Sequence, residues 1–331
     1  MKYIDVTKAQ SLVFKETNIP VITDDECLIA VKAIGVNRAD ILQRQGKYPP
    51  PQGESPILGI EVCGEIVSCG KSVQGWQAKD KVYCLVPGGA YAQFVKVNAS
   101  HLILLPANFQ YQQGAAIAEC FLTAFQCLFS IANLSKRLSV EDRTQPKILI
   151  HAGASGVGTA AIQLAKACKC FVAVTVSNEQ KAQACLALGA DLAINYQQDN
   201  FKEVCKGKGL AFDVIIDVVA GDYVNNNIDI TALDGDIVIL SMLGGRYCQQ
   251  LDVAKLLMKR ITLHGTTLRN RDDEYKQQLI TDFINVFGKQ IEKQTIKPVI
   301  DTVYDWNDVE KAHLRIMNNS NIGKIILTVA N

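Results

Sequence analysis

A glycine-rich turn between an apolar strand and an amphipathic helix limits the folds open to this chain more than any other feature. Lys147-Ile148-Leu149-Ile150 reads as a strand, and His151-Ala152-Gly153-Ala154-Ser155-Gly156-Val157-Gly158 follows it. Helical spacing then runs onward through Lys166. Counted from Gly156, the pattern is Gly-x-Gly-x-x-Ala, closing on Ala161. In a strand–turn–helix context this pattern binds a dinucleotide. Gly156 makes the tight turn, Gly158 admits a pyrophosphate and Ala161 lets helix and sheet pack closely. The helix N-terminus adds unpaired N–H groups and partial positive charge. A tight turn with no ligand is the alternative reading of the same residues.

The texture around this turn extends the argument. Phe171–Val176, Leu192–Asn195, Phe212–Val218, Asp236–Leu240 and Ile261–His264 read as strands, with helical spacing at Val157–Cys168 and Glu179–Leu188. Strands alternating with helices imply α/β architecture with a doubly wound parallel sheet. Residues 1–110 differ, having short alternating runs such as Cys27–Ala33, Glu65–Ser68 and Tyr91–Val97, broken by Gly and Pro. They predict a mixed β domain of barrel type. Gln112–Leu134 has helical spacing, and the tail from Ile296 returns to β texture around a helix near Asp308–Met317. With 331 residues, or about 2.2 average domains, the expected division is 1–119 with 267–331 for the β domain. Residues 120–266 form the dinucleotide domain.

Composition excludes several classes. Thirty-four basic and 33 acidic residues leave a net charge of +1, so no broad field attracts nucleic acid or a membrane surface. No run reaches about 18 apolar residues, the length of a membrane span. The start, Met1-Lys2-Tyr3-Ile4-Asp5, lacks a signal-peptide core. Eleven cysteines, none in a Cys-x-x-Cys pair, read as free thiols in a reducing compartment. The expected location is cytoplasmic.

The second strand of the α/β half bears on the choice of dinucleotide. An NAD site carries an acid about 20 residues after the glycines. Here Phe171–Val176 ends in Ser177-Asn178, and Glu179 opens the next helix. Ser177 leaves room for a 2′-phosphate, and Lys181 could face it; a solvated helix lysine is the alternative. The expected cofactor is NADPH.

Asn37-Arg38-Ala39-Asp40 with Arg44-Gln45-Gly46-Lys47-Tyr48-Pro49, the turn Ala152–Gly158, Asn195-Tyr196 and Asn321-Ile322-Gly323-Lys324 resemble one family. It is the medium-chain dehydrogenase/reductase superfamily, within it the zinc-free quinone oxidoreductases and especially the tumour-suppressor-inducible branch of animals. The resemblance spans nearly the whole chain. It implies a Rossmann domain, a GroES-like mixed β-barrel and a cofactor cleft between the two. It also implies a homodimer with a quinone or other conjugated carbonyl as substrate, and neither nucleic acid nor membrane as partner. Zinc-dependent relatives carry a cysteine ligand in the early loop, a Gly-His-Glu motif and a four-cysteine lobe. This chain has Asn37, then Gly59-Ile60-Glu61, and only Cys84 between residues 70 and 119. No zinc is therefore expected.

A quinone accepts hydride without a metal Lewis acid, because its developing charge is delocalised onto oxygen, and a hydrogen-bond donor there suffices. Tyr48 and Asn37 are the candidate catalytic residues; a covering aromatic and a backbone-bonding asparagine are their plainer readings. Tyr48 could also stack on the nicotinamide. Candidate cofactor residues are Tyr48, Ser155, Gly156, Val157, Gly158, Ser177, Lys181, Tyr196, Gly221, Gly244, Thr267, Asn321 and Lys324. Ser155 could bond a phosphate or only stabilise its turn. Gly221 and Gly244 end later strands, where ligands bind in such sheets. His151 reads as an interior residue. Glu61 and Glu119 are expected to pair with basic residues and hold the domain interface. The leading function is an NADPH-dependent quinone oxidoreductase. An enone or alkenal reductase, or a non-catalytic NADPH-binding protein, is the alternative.

Overall fold

The structure is a computed structural model that describes residues 1–139 and 145–329. The chain divides into two compact units, Met1–Leu122 with Leu268–Asn331, and Thr123–Thr267.

The strands, in chain order, are β1 (Lys2–Val6), β2 (Leu12–Glu16), β3 (Glu26–Val36), β4 (Glu61–Cys69), β5 (Lys81–Leu85), β6 (Phe94–Asn98) and β7 (Leu102–Leu104). They continue as β8 (Lys147–Ile150), β9 (Phe171–Val176), β10 (Leu192–Asn195), β11 (Phe212–Asp217), β12 (Thr231–Ile239) and β13 (Thr262–Gly265). The last two are β14 (Ile300–Asp305) and β15 (Lys324–Thr328).

In the second unit, six parallel strands lie in the order β10-β9-β8-β11-β12-β13. In sequence terms this is 3-2-1-4-5-6, the doubly wound order, whose reversal point lies beside the first strand. Its inner strands are nearly continuous apolar runs because helices cover both faces. Leu149, Ala173, Ile215 and Ile237 lie in the core, packed with Phe201, Phe212 and Ile228. Each such large aliphatic side chain, fully buried, contributes about 1.5–3 kcal/mol.

The first unit holds a mixed seven-stranded sheet, ordered β14-β15-β3-β4-β5-β7, with β6 paired to β3 and a separate β1–β2 hairpin. Its long strand β3 alternates toward a core of Cys27, Ile29, Val31, Ile34 and Val36. The tail completes this sheet, since β15 pairs antiparallel to β3.

Two segments depart from the sequence reading. The continuous helix expected over 112–134 is broken into Tyr111–Gly114, Ala118–Phe125 and a π-helical stretch, Gln126–Ile131. The apolar window within Tyr111–Ile131 meets the length and composition of a membrane span, but 78% of it is buried inside the protein. Asp273–Glu292 forms a 20-residue helix where the sequence reading placed none.

Candidate functional site

In the second unit the glycine-rich turn is built as the strand–turn–helix pattern requires. The helix Gly156–Ala167 starts at Ser155, whose Oγ accepts the Gly158 N–H at 3.0 Å. Of the two readings of Ser155, this is the local one, although the hydroxyl keeps its own hydrogen for a second partner. A Cβ on Gly158 would lie 2.5 Å from the carbonyl oxygens of Ala152 and Gly153, so glycine is needed for the turn to close on itself. Ala152 takes the left-handed conformation at φ 54°.

A buried chain of side chains fixes that turn. Asp217 at the end of β11 accepts the Val219 and Ala220 N–H groups at 2.7 and 2.9 Å, and Asn227 Nδ2 at 2.9 Å. Asn227 Oδ1 lies 2.7 Å from His151 Nε2, and His151 Nδ1 lies 3.0 Å from Thr175 Oγ1. Thr175 Oγ1 in turn accepts the Ala152 N–H at 3.3 Å. An amide oxygen can only accept, so His151 carries its hydrogen on Nε2 and accepts from Thr175 on Nδ1. Burial lowers its pKa, which keeps the ring neutral. His151 is thus a structural link among the carboxyl ends of β8, β9 and β11.

Ser177 is half-buried just past β9. Asn178 caps the next helix by accepting the Lys181 N–H at 2.9 Å, which sets Lys181 in its first turn. Tyr196 is 39% exposed just past β10 and donates its N–H to Val176 O at 3.0 Å, which brings the ends of β9 and β10 together. Gly221, at φ 54°, approaches Gly244 so closely that its Cβ would meet the Gly244 oxygen at 3.1 Å. Val157 is half-buried in the first helical turn, and Thr267 is exposed after β13.

The first unit gathers a different set. Asn37 follows β3 and caps the helix Arg38–Arg44, with Asp40 Oδ2 accepting the Asn37 N–H at 2.8 Å. Its side chain is 9% exposed. Nδ2 donates to Glu61 Oε1 at 2.9 Å and to Gly35 O at 3.1 Å, while Oδ1 accepts from Lys324 Nζ at 2.7 Å. Lys324 also hydrogen-bonds Glu61 Oε1 directly, and Glu61 Oε2 takes the Glu119 N–H at 2.9 Å. Burial alone would discharge Lys324, but Cys120, Glu61 and Glu119 around it hold its pKa above the usual range. The expected pairing of Glu61 with a base is thus made inside the first unit.

Next to this cluster, Tyr91 O–H meets Asp40 Oδ2 at 3.1 Å and His313 Nε2 at 3.0 Å, and Arg44 Nη1 lies 3.2 Å from His313 Nδ1. Arginine can only donate, so His313 accepts on Nδ1 and donates from Nε2 to Tyr91, which donates to Asp40. Burial and then Arg44 push His313 down to about 3, so it stays neutral. Burial pushes Asp40 up to about 6, against the opposing pull of the Asn37 N–H, Lys324 and Tyr91. Asp40 Oδ1 is buried with no hydrogen-bond partner.

Tyr48, half-buried, has the Arg269 guanidinium 5.4 Å from its ring centroid. Arg269 Nε donates to Pro87 O at 2.7 Å and Nη2 to Gln43 Oε1 at 2.8 Å, while Nη1 is buried without a hydrogen-bond partner. Ile60, Leu85, Val86, Glu119 and Lys276 line a narrow cavity with Arg269.

Comparison with known proteins accounts for both units. Residues 23–107 match the alcohol dehydrogenase GroES-like domain, and residues 156–285 match the zinc-binding dehydrogenase family. The mouse quinone oxidoreductase is 29% identical over 329 residues, covering 98% of this chain and 94% of that protein. The chain belongs to the medium-chain dehydrogenase/reductase superfamily. Among solved structures of this superfamily's fold, the Escherichia coli quinone oxidoreductase complexed with NADPH is 26% identical. It has a TM-score of 0.82 and covers 99% of this chain and 98% of that one. A zebrafish synaptic vesicle membrane protein VAT-1 homolog is 27% identical over 93% of this chain, which spans 65% of that protein's length.

Zinc, which one of the matched family descriptions names, has no fitting donor set at the expected positions. Ile60 offers no donor atom, and both Glu61 oxygens are bound to Lys324, Asn37 and the Glu119 N–H. Among the described residues no three His, Cys, Asp or Glu side chains form a group able to hold a metal ion. A nicotinamide dinucleotide fits better: the second unit presents a helix N-terminus behind a glycine turn, with Ser177 rather than an acid past β9.

Two of the expected cofactor residues make contacts inside the first unit. Lys324 is buried against Glu61, and Asn321 Nδ2 donates to Gly323 O at 2.7 Å, so both have partners inside the first unit. Asp40, Tyr91 and His313 were not legible as a group, because hydrogen bonds join them across 51 and 222 residues.

Proposed function

We propose that this protein is an NADPH-dependent quinone oxidoreductase that works without a metal. The observation that carries the reading is the likeness to quinone oxidoreductases along nearly the whole chain, both halves included. When bound, NADPH supplies the hydride.

The chain's own residues supply binding, orientation and charge. The first turn of the helix at Gly156 directs backbone N–H groups toward a pyrophosphate, with the Gly158 N–H itself taken by Ser155 Oγ. Ser155 holds that turn, and its remaining O–H hydrogen can reach a phosphate. Ser177, Lys181 and Tyr196 would surround the 2′-phosphate, where an acid would repel it. Gly221, Gly244 and Thr267 would line the remainder. On the substrate side, Tyr48 would orient the quinone and donate to the oxygen that gains charge. Arg269 supports it with a fixed positive charge against its ring. Asn37, the second candidate, has both amide hydrogens committed to Glu61 and Gly35 and its oxygen to Lys324, so it would position its neighbours rather than donate to the quinone. This donor-based arrangement suits a conjugated acceptor such as a quinone, since an acceptor with a delocalised oxyanion needs no Lewis acid.

NADPH oxidation followed across panels of quinones and enones tests the reading. Turnover with quinones is the expected result. Turnover confined to enones would make the protein an alkenal reductase, and tight NADPH binding without turnover would make it a non-catalytic binder. We further propose a cytoplasmic homodimer with neither nucleic acid nor membrane partner, in keeping with the near-zero net charge.

A further inference from the structure

Eleven cysteines are spread over the chain, and among the described residues two of them face each other across a sheet. Cys27 is the second residue of β3 and Cys69 ends β4, and the antiparallel register sets them opposite one another. Their sulfurs are 3.6 Å apart. The Gly70 N–H bonds Glu26 O at 2.8 Å just beyond the pair. That pattern makes Cys27–Cys69 a non-hydrogen-bonded site, where opposed Cα atoms approach to about 4.5 Å. A disulfide accepts Cα separations from about 4.4 to 6.8 Å, so the backbone already has a compatible spacing.

The two thiols are not equivalent. Cys27 is fully buried, whereas Cys69 is partly exposed. Cys27 donates its S–H toward Cys69, whose own S–H is directed to Trp76 O at 3.7 Å. Burial, and then the Cys69 contact, push the Cys27 thiol up to about 12. Cys69 is therefore the more exposed residue of the pair, and Cys27 is the partner held behind it.

We infer that Cys27 and Cys69 form an oxidisable thiol pair, in which Cys69 reacts with a hydroperoxide and Cys27 resolves the product as a disulfide. In the first step the Cys69 thiolate attacks the peroxide, the O–O bond breaks, and Cys69 sulfenic acid and an alcohol or water form. In the second step Cys27 sulfur attacks the sulfenic sulfur, the S–O bond breaks and water leaves, taking the Cys27 proton. Two thiols have lost two electrons and two protons, and one peroxide has been reduced. The bond would staple β3 to β4 at the end opposite Asn37 and Glu61, which lie at the other ends of the same two strands. It would also close a loop of 42 residues, so oxidation should raise the thermal midpoint.

Treatment of the full chain with hydrogen peroxide, then alkylation and peptide mapping, tests the pair. The expected result is a Cys27–Cys69 linked peptide that dithiothreitol removes. Cys69→Ser should abolish the link and leave Cys27 alkylatable. Cys27→Ser should leave Cys69 as a sulfenic acid that dimedone captures. Oxidation of the half-exposed Cys168 or Cys248 with Cys27 and Cys69 still reduced would overturn the inference. So would a linked peptide that persists in Cys69→Ser, or wild-type protein that forms no link.

Discussion

Lys324 Nζ donates to Asn37 Oδ1 at 2.7 Å, and the same ammonium is ion-paired to Glu61. One buried cation therefore fixes the asparagine that follows β3 and the carboxylate that opens β4. With Asn37 Nδ2 given to Glu61 and Gly35, the amide has a single orientation. A charge this deep persists only because it is paired and hydrogen-bonded.

Removing one partner exposes that dependence. Lys324→Met should destabilise the protein by about 3–5 kcal/mol, because Glu61 is left as an uncompensated buried charge. Adding Glu61→Gln should restore much of the loss. Urea unfolding of the single and double variants checks this; a cost below about 1 kcal/mol for the single variant would show that the pair carries little stability.

Asp40 should make stability depend on pH in an unusual direction. Burial holds its folded-state pKa at about 6, above the unfolded carboxyl value of about 3.9. The native state thus binds the extra proton in that window, and stability falls as pH rises through it. The cost of ionised Asp40 is absent below about pH 4 and complete above about pH 6, reaching roughly 3 kcal/mol at most. Asp40→Asn, which can still accept from the Asn37 N–H and Tyr91 O–H, should therefore gain stability relative to wild type as pH rises. Unfolding curves at several pH values across the window decide this; parallel curves for the two proteins would contradict it.

Tyr48→Ala should reduce quinone turnover by about tenfold in a partly wet site, less than the 10²–10³ of a fully used donor. NADPH affinity should be nearly unchanged, because the proposed role of the ring is toward the quinone. Steady-state kinetics with several quinones, together with an NADPH titration, measure both. Unaltered turnover would remove Tyr48 from the mechanism.

Lys181→Ala should weaken NADPH by about 10- to 150-fold, the worth of one charge-assisted hydrogen bond, and leave NADH nearly unchanged. Salt should move the effect toward the lower end. Titrating both cofactors against both proteins is the check, and equal losses for the two would show that Lys181 does not read the phosphate.

Much of the second unit was legible in the sequence because its signals are local. The bounds of β9 and β10 follow from apolar runs closed by turn residues, and the glycine turn specifies its own strand and helix. The helix Asp273–Glu292 was readable too. Its buried Lys276, Leu279, Ile280, Phe283, Phe287 and Ile291 have helical spacing behind an Asp272 cap, but the surrounding charges mask the stripe. Lys324 was different. Its buried partner, Glu61, lies 263 residues away, and no local pattern distinguishes a lysine that pairs inside the fold from one that meets a cofactor. Ser155 shows the same limit at short range, since a capping serine and a phosphate-binding serine occupy one position in one motif.

The central claim is tested most directly by following NADPH consumption and hydroquinone formation together, with a benzoquinone as acceptor and a strong chelator present. The account predicts matched consumption and formation at a rate the chelator does not change, with NADH a much poorer donor. NADPH that binds but is not consumed, or turnover that chelation abolishes and zinc restores, would contradict it.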